Sequence, residues 1–275
     1  MKKKYVIVTG GSQGLGFEIC KTFLDKGYNI IFCGKSKSNL QTAKKYFQQK
    51  YMKSEIIAIK CDLNSKKEIN NFINRSKKYS KNLVALVNNA GVYGPFGQIE
   101  KINFNNWVNC INTNLIAPIY IISKVLPIFK KNKFGRIVNM SGGGATSPLA
   151  KINAYAASKA AFVRSSESIA LELDKKIDIT INCVAPGALK TQMLKQVLLK
   201  GNKKLDKSFI NKMRNVNISG GTPLRLGADL VYKLCQKSNK LNGKLVSAVW
   251  DNYEKLNKNY YKINSSEKLT IKRVT

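Results

Sequence analysis

Two groups of residues in this chain have types and spacings that could do chemistry. The first is Tyr155-Ala156-Ala157-Ser158-Lys159, at the start of a strongly periodic segment. A spacing of four on a helix puts the phenol and the ammonium on one face, one turn apart. A fixed positive charge beside a phenol favours phenolate, which lowers the tyrosine pKa from roughly 10 and makes it a usable acid–base group. Tyr-x-x-x-Lys also arises by chance as an ordinary surface pair. Its weight here comes from what the chain lacks: 275 residues contain no histidine. Ser-His-Asp chemistry, Cys-His pairs, imidazole bases and His-based zinc sites are thereby excluded. Proton transfer near neutral pH falls to Tyr, Lys, Cys or a shifted carboxylate.

The second group is Thr9-Gly10-Gly11-Ser12-Gln13-Gly14-Leu15-Gly16, directly behind the apolar run Tyr5–Val8 and ahead of a helical pattern. Glycines at 10, 14 and 16 suit a tight strand-to-helix turn in which the backbone approaches a pyrophosphate and the helix N-terminus meets its charge. No Gly-Lys-Ser/Thr follows, so this is not a P-loop. The second strand discriminates between nucleotides. An acid near its end would bind the ribose hydroxyls of NAD, whereas a basic residue accommodates the extra phosphate of NADP. Here the strand ends Phe32-Cys33-Gly34-Lys35-Ser36-Lys37, with no acid. NADP(H) is therefore expected over NAD(H), with Lys35 and Ser36 at the phosphate.

The elements that must position these groups alternate along the chain. Tyr5–Val8, Asn29–Cys33, Ile56–Cys61, Leu83–Val87, Arg136–Met140, Ile177–Val184 and Lys244–Val249 read as strands. They are continuously apolar, as parallel strands covered on both faces are. Helical patterns at 14–26, 66–78, 106–131, 154–174 and 227–238 separate them. This predicts an α/β fold: one doubly wound Rossmann-type domain over 1–275, with a mainly parallel seven-stranded sheet and helices on both faces. Two stretches break the rhythm: 188–221, expected to be a substrate loop, and the extension 251–275, which could fray or dock.

Composition narrows the partners. Lys and Arg total 48 against 15 Asp and Glu, a formal charge of +33. The lysines are dispersed and only six of the basic residues are Arg, which argues for solvated surface rather than specific nucleic-acid recognition. The six cysteines contain no C-x-x-C pair. Four lie in apolar runs (Cys33, Cys61, Cys110 and Cys183) and read as small buried hydrophobes; a reduced, cytoplasmic setting is expected, and no metal site. The apolar stretch 115–129 is interrupted by Pro118, Ser123, Lys124 and Pro127, so no membrane-spanning helix is expected.

Taken together, these motifs resemble the short-chain dehydrogenase/reductase family over nearly the whole chain. The landmarks run in the family's order: the glycine loop, Asp62 after the third strand, Asn88-Asn89-Ala90-Gly91 after the fourth, and Asn114 in the central helix. Ser141 follows the fifth strand, then Tyr155-x-x-x-Lys159, and Pro186-Gly187 with Thr191 after the sixth. Segments 141–148 (Ser-Gly-Gly-Gly-Ala-Thr-Ser-Pro), 220–224 and 247–251 are similar to a subgroup of that family. The resemblance implies interconversion of a carbonyl and a secondary alcohol by hydride transfer. Tyr155 would be the general acid/base, Lys159 its pKa modulator and ribose ligand, and Asn114 the holder of a relay water. It also implies that Asp62 and Leu63 contact the adenine, that Asn89, Ala90 and Gly91 line the cofactor, and that Thr191 holds the carboxamide. Ser12, Gln13 and Leu15 complete the expected cofactor lining beside Thr9, Gly10, Gly14, Gly16, Pro186 and Gly187. One register departs from the family: the position thirteen before the tyrosine, usually a substrate-orienting serine, is Gly142. Ser141 is the expected substitute, with Thr146, Ser147 or a backbone amide behind it. The family further implies dimers or tetramers pairing the 106–131 and 154–174 helices. A small-molecule substrate, and from the basic surface an anionic one such as a nucleotide-linked sugar or acyl carrier, is the expectation. A catalytically silent NADP(H)-binding scaffold is the alternative.

Overall fold

The computed structural model describes residues 3–273. Its strands are β1 (Tyr5–Thr9), β2 (Asn29–Gly34), β3 (Ile56–Lys60), β4 (Leu83–Asn88), β5 (Phe134–Met140), β6 (Asp178–Ala185) and β7 (Leu245–Ser247). Between them run α1 (Gly14–Asp25), α2 (Lys37–Lys50), α3 (Lys66–Ser76), α4 (Phe104–Ile111), α5 (Ala117–Asn132) and α6 (Asn153–Glu172). They continue with α7 (Gln192–Gln196), α8 (Lys207–Ser219) and α9 (Leu224–Leu234), and α10 (Tyr253–Lys258) and α11 (Tyr260–Asn264) follow β7. The strands form one sheet in the order β3-β2-β1-β4-β5-β6-β7, and every pairing is parallel.

The sheet is buried because each face carries its own apolar layer. Val6, Val8, Ile30 and Phe32 point to the layer of Ile19 and Phe23 on α1, Phe47 on α2 and Val231 on α9. Their chain neighbours Ile7 and Ile31 point oppositely, to Phe72 on α3, Ile121 and Phe129 on α5, and Phe162 on α6. Successive side chains of a strand face opposite sides, so both faces need apolar residues and the strands read as continuous apolar runs. Helix starts are set locally: the Ser36 and Ser65 hydroxyls accept the Asn39 and Glu68 amides at the heads of α2 and α3, satisfying otherwise orphaned donors.

Strand order reverses at β1 and β4. The connections leaving their C-terminal ends diverge to opposite halves of the sheet and open a crevice there, the usual ligand position in such folds. The loops following β1, β2, β4, β5 and β6 all end at this edge.

Several boundaries shift from the sequence reading. Strand β7 keeps three residues, and Cys61 lies just past β3. The 106–131 helix is longer, running from Phe104 to Asn132 through a π turn at Asn112–Ile116. By length and composition this helix could cross a membrane; here Ile121, Val125 and Phe129 pack it onto the sheet. The 188–221 insertion is helical, folding as α7, a second π turn (Val197–Gly201) and α8. Its neck is clipped by a bridge between Leu189 and Gly221 and a bond from the Thr222 amide to the Ala188 carbonyl (2.8 Å).

The extension docks rather than frays. The buried Lys244 ammonium donates to the Ser266 and Lys268 carbonyls (2.7 and 3.2 Å), and the Leu245 amide donates to the Leu269 carbonyl (2.8 Å). Farther along, Ile271 joins Ala145, Val163 and Cys183.

Candidate active site

Helix α6 brings Tyr155 and Lys159 to the crevice edge, one turn apart, as their spacing requires. Both are buried, at 7% and 4% exposure. The Lys159 ammonium donates to the Met140 carbonyl at the end of β5 (2.7 Å), and Nζ lies 5.8 Å from the Tyr155 ring centroid. Burial pushes the Lys159 pKa down from 10.5 to about 8, because the charged form loses its hydration. The Tyr155 phenol moves up, not down as its lysine neighbour suggests. Its own burial dominates, and Tyr93 and Cys110 push the same way. Tyr155 is thus held fully protonated at neutral pH.

Asn114 sits in the π turn, a distortion that recurs at functional sites. Its Oδ1 accepts the Val92 amide, and its Nδ2 donates to the Val92 carbonyl (both 2.8 Å) and to Ser158 Oγ (3.0 Å). Ser158 Oγ in turn donates to the Tyr155 carbonyl (2.7 Å). Asn114 therefore staples the segment after β4 to the tyrosine helix. Gly91 lies where these groups converge: a Cβ on it would stand 3.3 Å from Asn114 Oδ1 and 3.6 Å from Lys159 Nζ.

The glycine loop forms a cradle beside this centre. Gly10 takes a positive φ of 67°, and a Cβ on Gly16 would overlap the Gly10 carbonyl and the Asn89 amide. That close contact seats the α1 N-terminus directly on the loop. Asn89 Nδ2 holds the turn through the Thr9 and Gly10 carbonyls (3.0 and 3.2 Å), while Thr9 Oγ1 accepts the Asn89 and Ala90 amides. Thr191, heading α7, reaches over Gly14, and Pro186 packs near Gly227 beside Leu15. The residues present fit a dinucleotide: glycines with positive φ at 10 and 14 turn the loop, the N-terminus of α1 lies at Gly14, and Lys159 stands at the far end.

At the opposite end, Lys35 extends from β2 with a 76% exposed side chain and pairs with Asp62 at 2.8 Å. Partial burial works against ionisation of Asp62, but the bonds from Lys35 and Asn64 outweigh it and hold the carboxyl below its usual range. Ser36 caps α2, Asn39 Nδ2 donates to Gln13 Oε1 (3.1 Å), Ser12 lies against Gly34, and Leu63 is buried. These residues gather around the ends of β2 and β3, where the adenosine half of a dinucleotide would lie.

Comparison with known proteins gives the family. The family model described as short chain dehydrogenase matches residues 4–201. The chain belongs to the short-chain dehydrogenase family. It is 30% identical over 188 residues to an uncharacterised oxidoreductase of Schizosaccharomyces pombe, a match covering 68% of this chain and 61% of that one. It is 29% identical over 249 residues to the 3-oxoacyl-[acyl-carrier-protein] reductase FabG of Buchnera aphidicola, covering 90% and 96%. Among solved structures, the NADPH dependent reductase YwfH superimposes with a TM-score of 0.78 at 22% identity, covering 90% and 97%.

The loop after β5 carries Ser141, the expected substrate-orienting residue, and the Gly142–Gly144 run. Ser141 Oγ is buried with no hydrogen-bond partner. A Cβ on Gly142 would overlap the Tyr155 hydroxyl, so the phenol fills the space a serine would need. Sequence reading also missed Tyr93, whose ring lies 4.7 Å from that of Tyr155, tilted by 46°. Its position two residues beyond Gly91 was the available signal. Among the described residues no cluster of potential ligands could hold a metal ion.

Proposed function

We propose that this dehydrogenase interconverts a carbonyl and a secondary alcohol with NADP(H), using Tyr155 as the proton donor. The observation that carries the reading is the convergence of Tyr155, Lys159, Asn114 and Gly91 at the edge of the glycine cradle. When bound, the nicotinamide supplies the hydride; the remaining tasks belong to the chain. Tyr155, kept protonated by burial, gives its proton to the carbonyl oxygen as that oxygen gains charge. Lys159 then faces a new phenolate in a dry site, where its charge stabilises the product of proton transfer far more than in water. With its side chain engaged by Val92 and Ser158, Asn114 contributes a relay water only through its main chain, which the π turn frees from the regular ladder.

The NADP(H) preference rests on Lys35. An exposed ion pair such as Lys35–Asp62 is worth about 0–1 kcal/mol, so a doubly charged ribose phosphate can displace Asp62 at small cost. Self-association rests on the outer faces of α4 and α5. Phe104 and Trp107 stack there at 5.6 Å, Ile116 is exposed, and an apolar groove runs past Leu115, Ile119 and Tyr120 to Ser165 on α6.

Tyr155→Phe tests the proposal. NADPH oxidation should fall by at least about a thousandfold while NADPH binding stays within twofold; retained turnover rejects Tyr155 as the donor. The buried Ser141 hydroxyl and the serine position occupied by Gly142 favour one rival, a scaffold that binds cofactor without turnover. That rival holds if the wild type binds NADPH and reduces no carbonyl.

A further inference from the structure

The surroundings of Tyr155 narrow the substrate. Beyond its contact with Gly142, the phenol belongs to an apolar cluster with Ile152 behind it and Leu194, Val197, Ile210 and Met213 from the lid formed by α7 and α8. Tyr93, Phe96, Leu149, Met193, Phe209 and Val216 pack around these. The cluster is built of aliphatic and aromatic side chains together with methionines. The eight Lys and Arg of residues 188–221 are all exposed, pointing away from it. Lys159, the cation beside Tyr155, is already bonded to Met140.

The way the lid is held sharpens this. Beyond its clipped neck, its polar tie to the body is the Lys151–Asp206 pair, with side chains 32% and 49% exposed, and such pairs contribute little. Apolar contact with Tyr93, Phe96 and Leu149 therefore does most of the holding. A ligand that reaches Tyr155 parts those contacts and must replace the apolar burial it removes. A polyhydroxylated ligand cannot: each hydroxyl buried without a partner weakens binding roughly tenfold or more.

Resting on the carbonyl-reduction reading, we propose that the substrate is a ketone with an apolar, ring-sized body seated against Tyr93, and that Tyr93 is a specificity-determining residue. An apolar body recovers what lid opening removes, and the Tyr93 ring, already tilted against Tyr155, presents a face to the carbons flanking the carbonyl. The basic surface then bears on solubility rather than on substrate choice, contrary to the anionic substrate suggested by composition.

The test uses the full-length protein and NADPH with three probe types: 1-tetralone and 2-decalone, the polyhydroxy ketones dihydroxyacetone and erythrulose, and acetoacetyl-CoA as the anionic probe. kcat/KM for the bicyclic ketones should exceed that for the polyhydroxy ketones by at least about a hundredfold and should be insensitive to salt. Tyr93→Ala should lower it tenfold or more, chiefly through KM, while Tyr93→Phe stays within threefold because the ring and not the hydroxyl acts. Melting temperatures with NADPH confirm that both variants fold. Faster turnover of erythrulose or acetoacetyl-CoA than of 1-tetralone overturns the inference, as does Tyr93→Ala leaving the ranking and KM unchanged. If no ketone is reduced, the reductase reading fails by itself. The rise in melting temperature of the NADPH complex then decides this inference: stabilisation by 1-tetralone that Tyr93→Ala abolishes upholds it, and any other pattern overturns it.

Discussion

Replacing Lys159 with methionine should exchange stability for activity in a pH-dependent way. Lys159 is 4% exposed and its ammonium has one acceptor, the Met140 carbonyl at 2.7 Å. Its pKa falls from 10.5 to about 8. At about 1.4 kcal/mol per unit, keeping it charged in the folded protein costs about 3 kcal/mol at pH 7. Between about pH 8 and 10.5 the unfolded chain binds more protons at this site than the folded one, so wild-type stability gains from this group as pH rises through that window. Methionine removes the cost but leaves the Met140 carbonyl without its donor, a loss of about 1–3 kcal/mol. The variant should therefore be about 1 kcal/mol more stable at pH 7, raising Tm by about 2–4 °C for a chain of this size. By pH 10 the wild type has recovered most of its penalty and the order reverses, the variant being weaker by about 1 kcal/mol. Melting both proteins at pH 7 and pH 10 in the same buffer salt decides this, because the many surface lysines titrate alike in each. A stability difference that is the same at both pH values would refute the claim that Lys159 is desolvated. Reductase turnover should fall at least about a hundredfold in the variant at either pH.

Two further outcomes follow from the site and its surface. Lys35→Glu should raise the NADPH dissociation constant at least about thirtyfold, equivalent to roughly 2 kcal/mol, and leave the NADH constant within threefold. An equal change for both cofactors in a titration of Tyr and Trp fluorescence would remove Lys35 from the ribose phosphate site. Ile116→Lys, which puts a charge into the apolar face beside the Leu115–Tyr120 groove, should lower the mass measured by light scattering to that of the 30.7 kDa protomer. A wild type that already runs at that mass rejects this face as the self-association surface.

What could be read from the sequence was set by short-range rules. Strands β1, β2 and β4 are buried on both faces, so each shows as a nearly unbroken apolar run, and the glycine loop follows the first strand at the spacing its turn demands. Tyr155 and Lys159 share a helix, so four residues of sequence fix their relation. What stayed hidden depends on contacts across the chain. Tyr93, on the loop after β4, meets Tyr155 on α6, 62 residues farther along the chain. The burial of the Ser141 hydroxyl comes at the paired ends of β5 and β6, where the Ser141 amide donates to the Val184 carbonyl (2.8 Å). The upward shift of the Tyr155 pKa depends on how completely the lid covers it, and the sequence of 188–221 gives little sign that Leu194, Val197, Leu205, Ile210 and Met213 turn inward while Leu199 and Ile218 stay exposed.

That covering also explains how a chain without imidazole can manage proton transfer. A phenol in water is a weak acid with no driving force toward a neutral carbonyl, and a lysine in water interacts with it by only about 1 kcal/mol at 4 Å. Burying both changes the balance on each side of the reaction. Before transfer, desolvation keeps Tyr155 protonated and strains Lys159, whose charge has a carbonyl dipole but no counter-ion. After transfer, the phenolate is the counter-ion that Lys159 lacks, so the dry site that penalised each charge singly favours the pair. The penalty on Lys159 in the resting protein and the stabilisation of the phenolate thus have a single origin in the exclusion of water. A more hydrated site would relieve the first and lose the second, which is why stability and turnover should move in opposite directions when Lys159 is replaced.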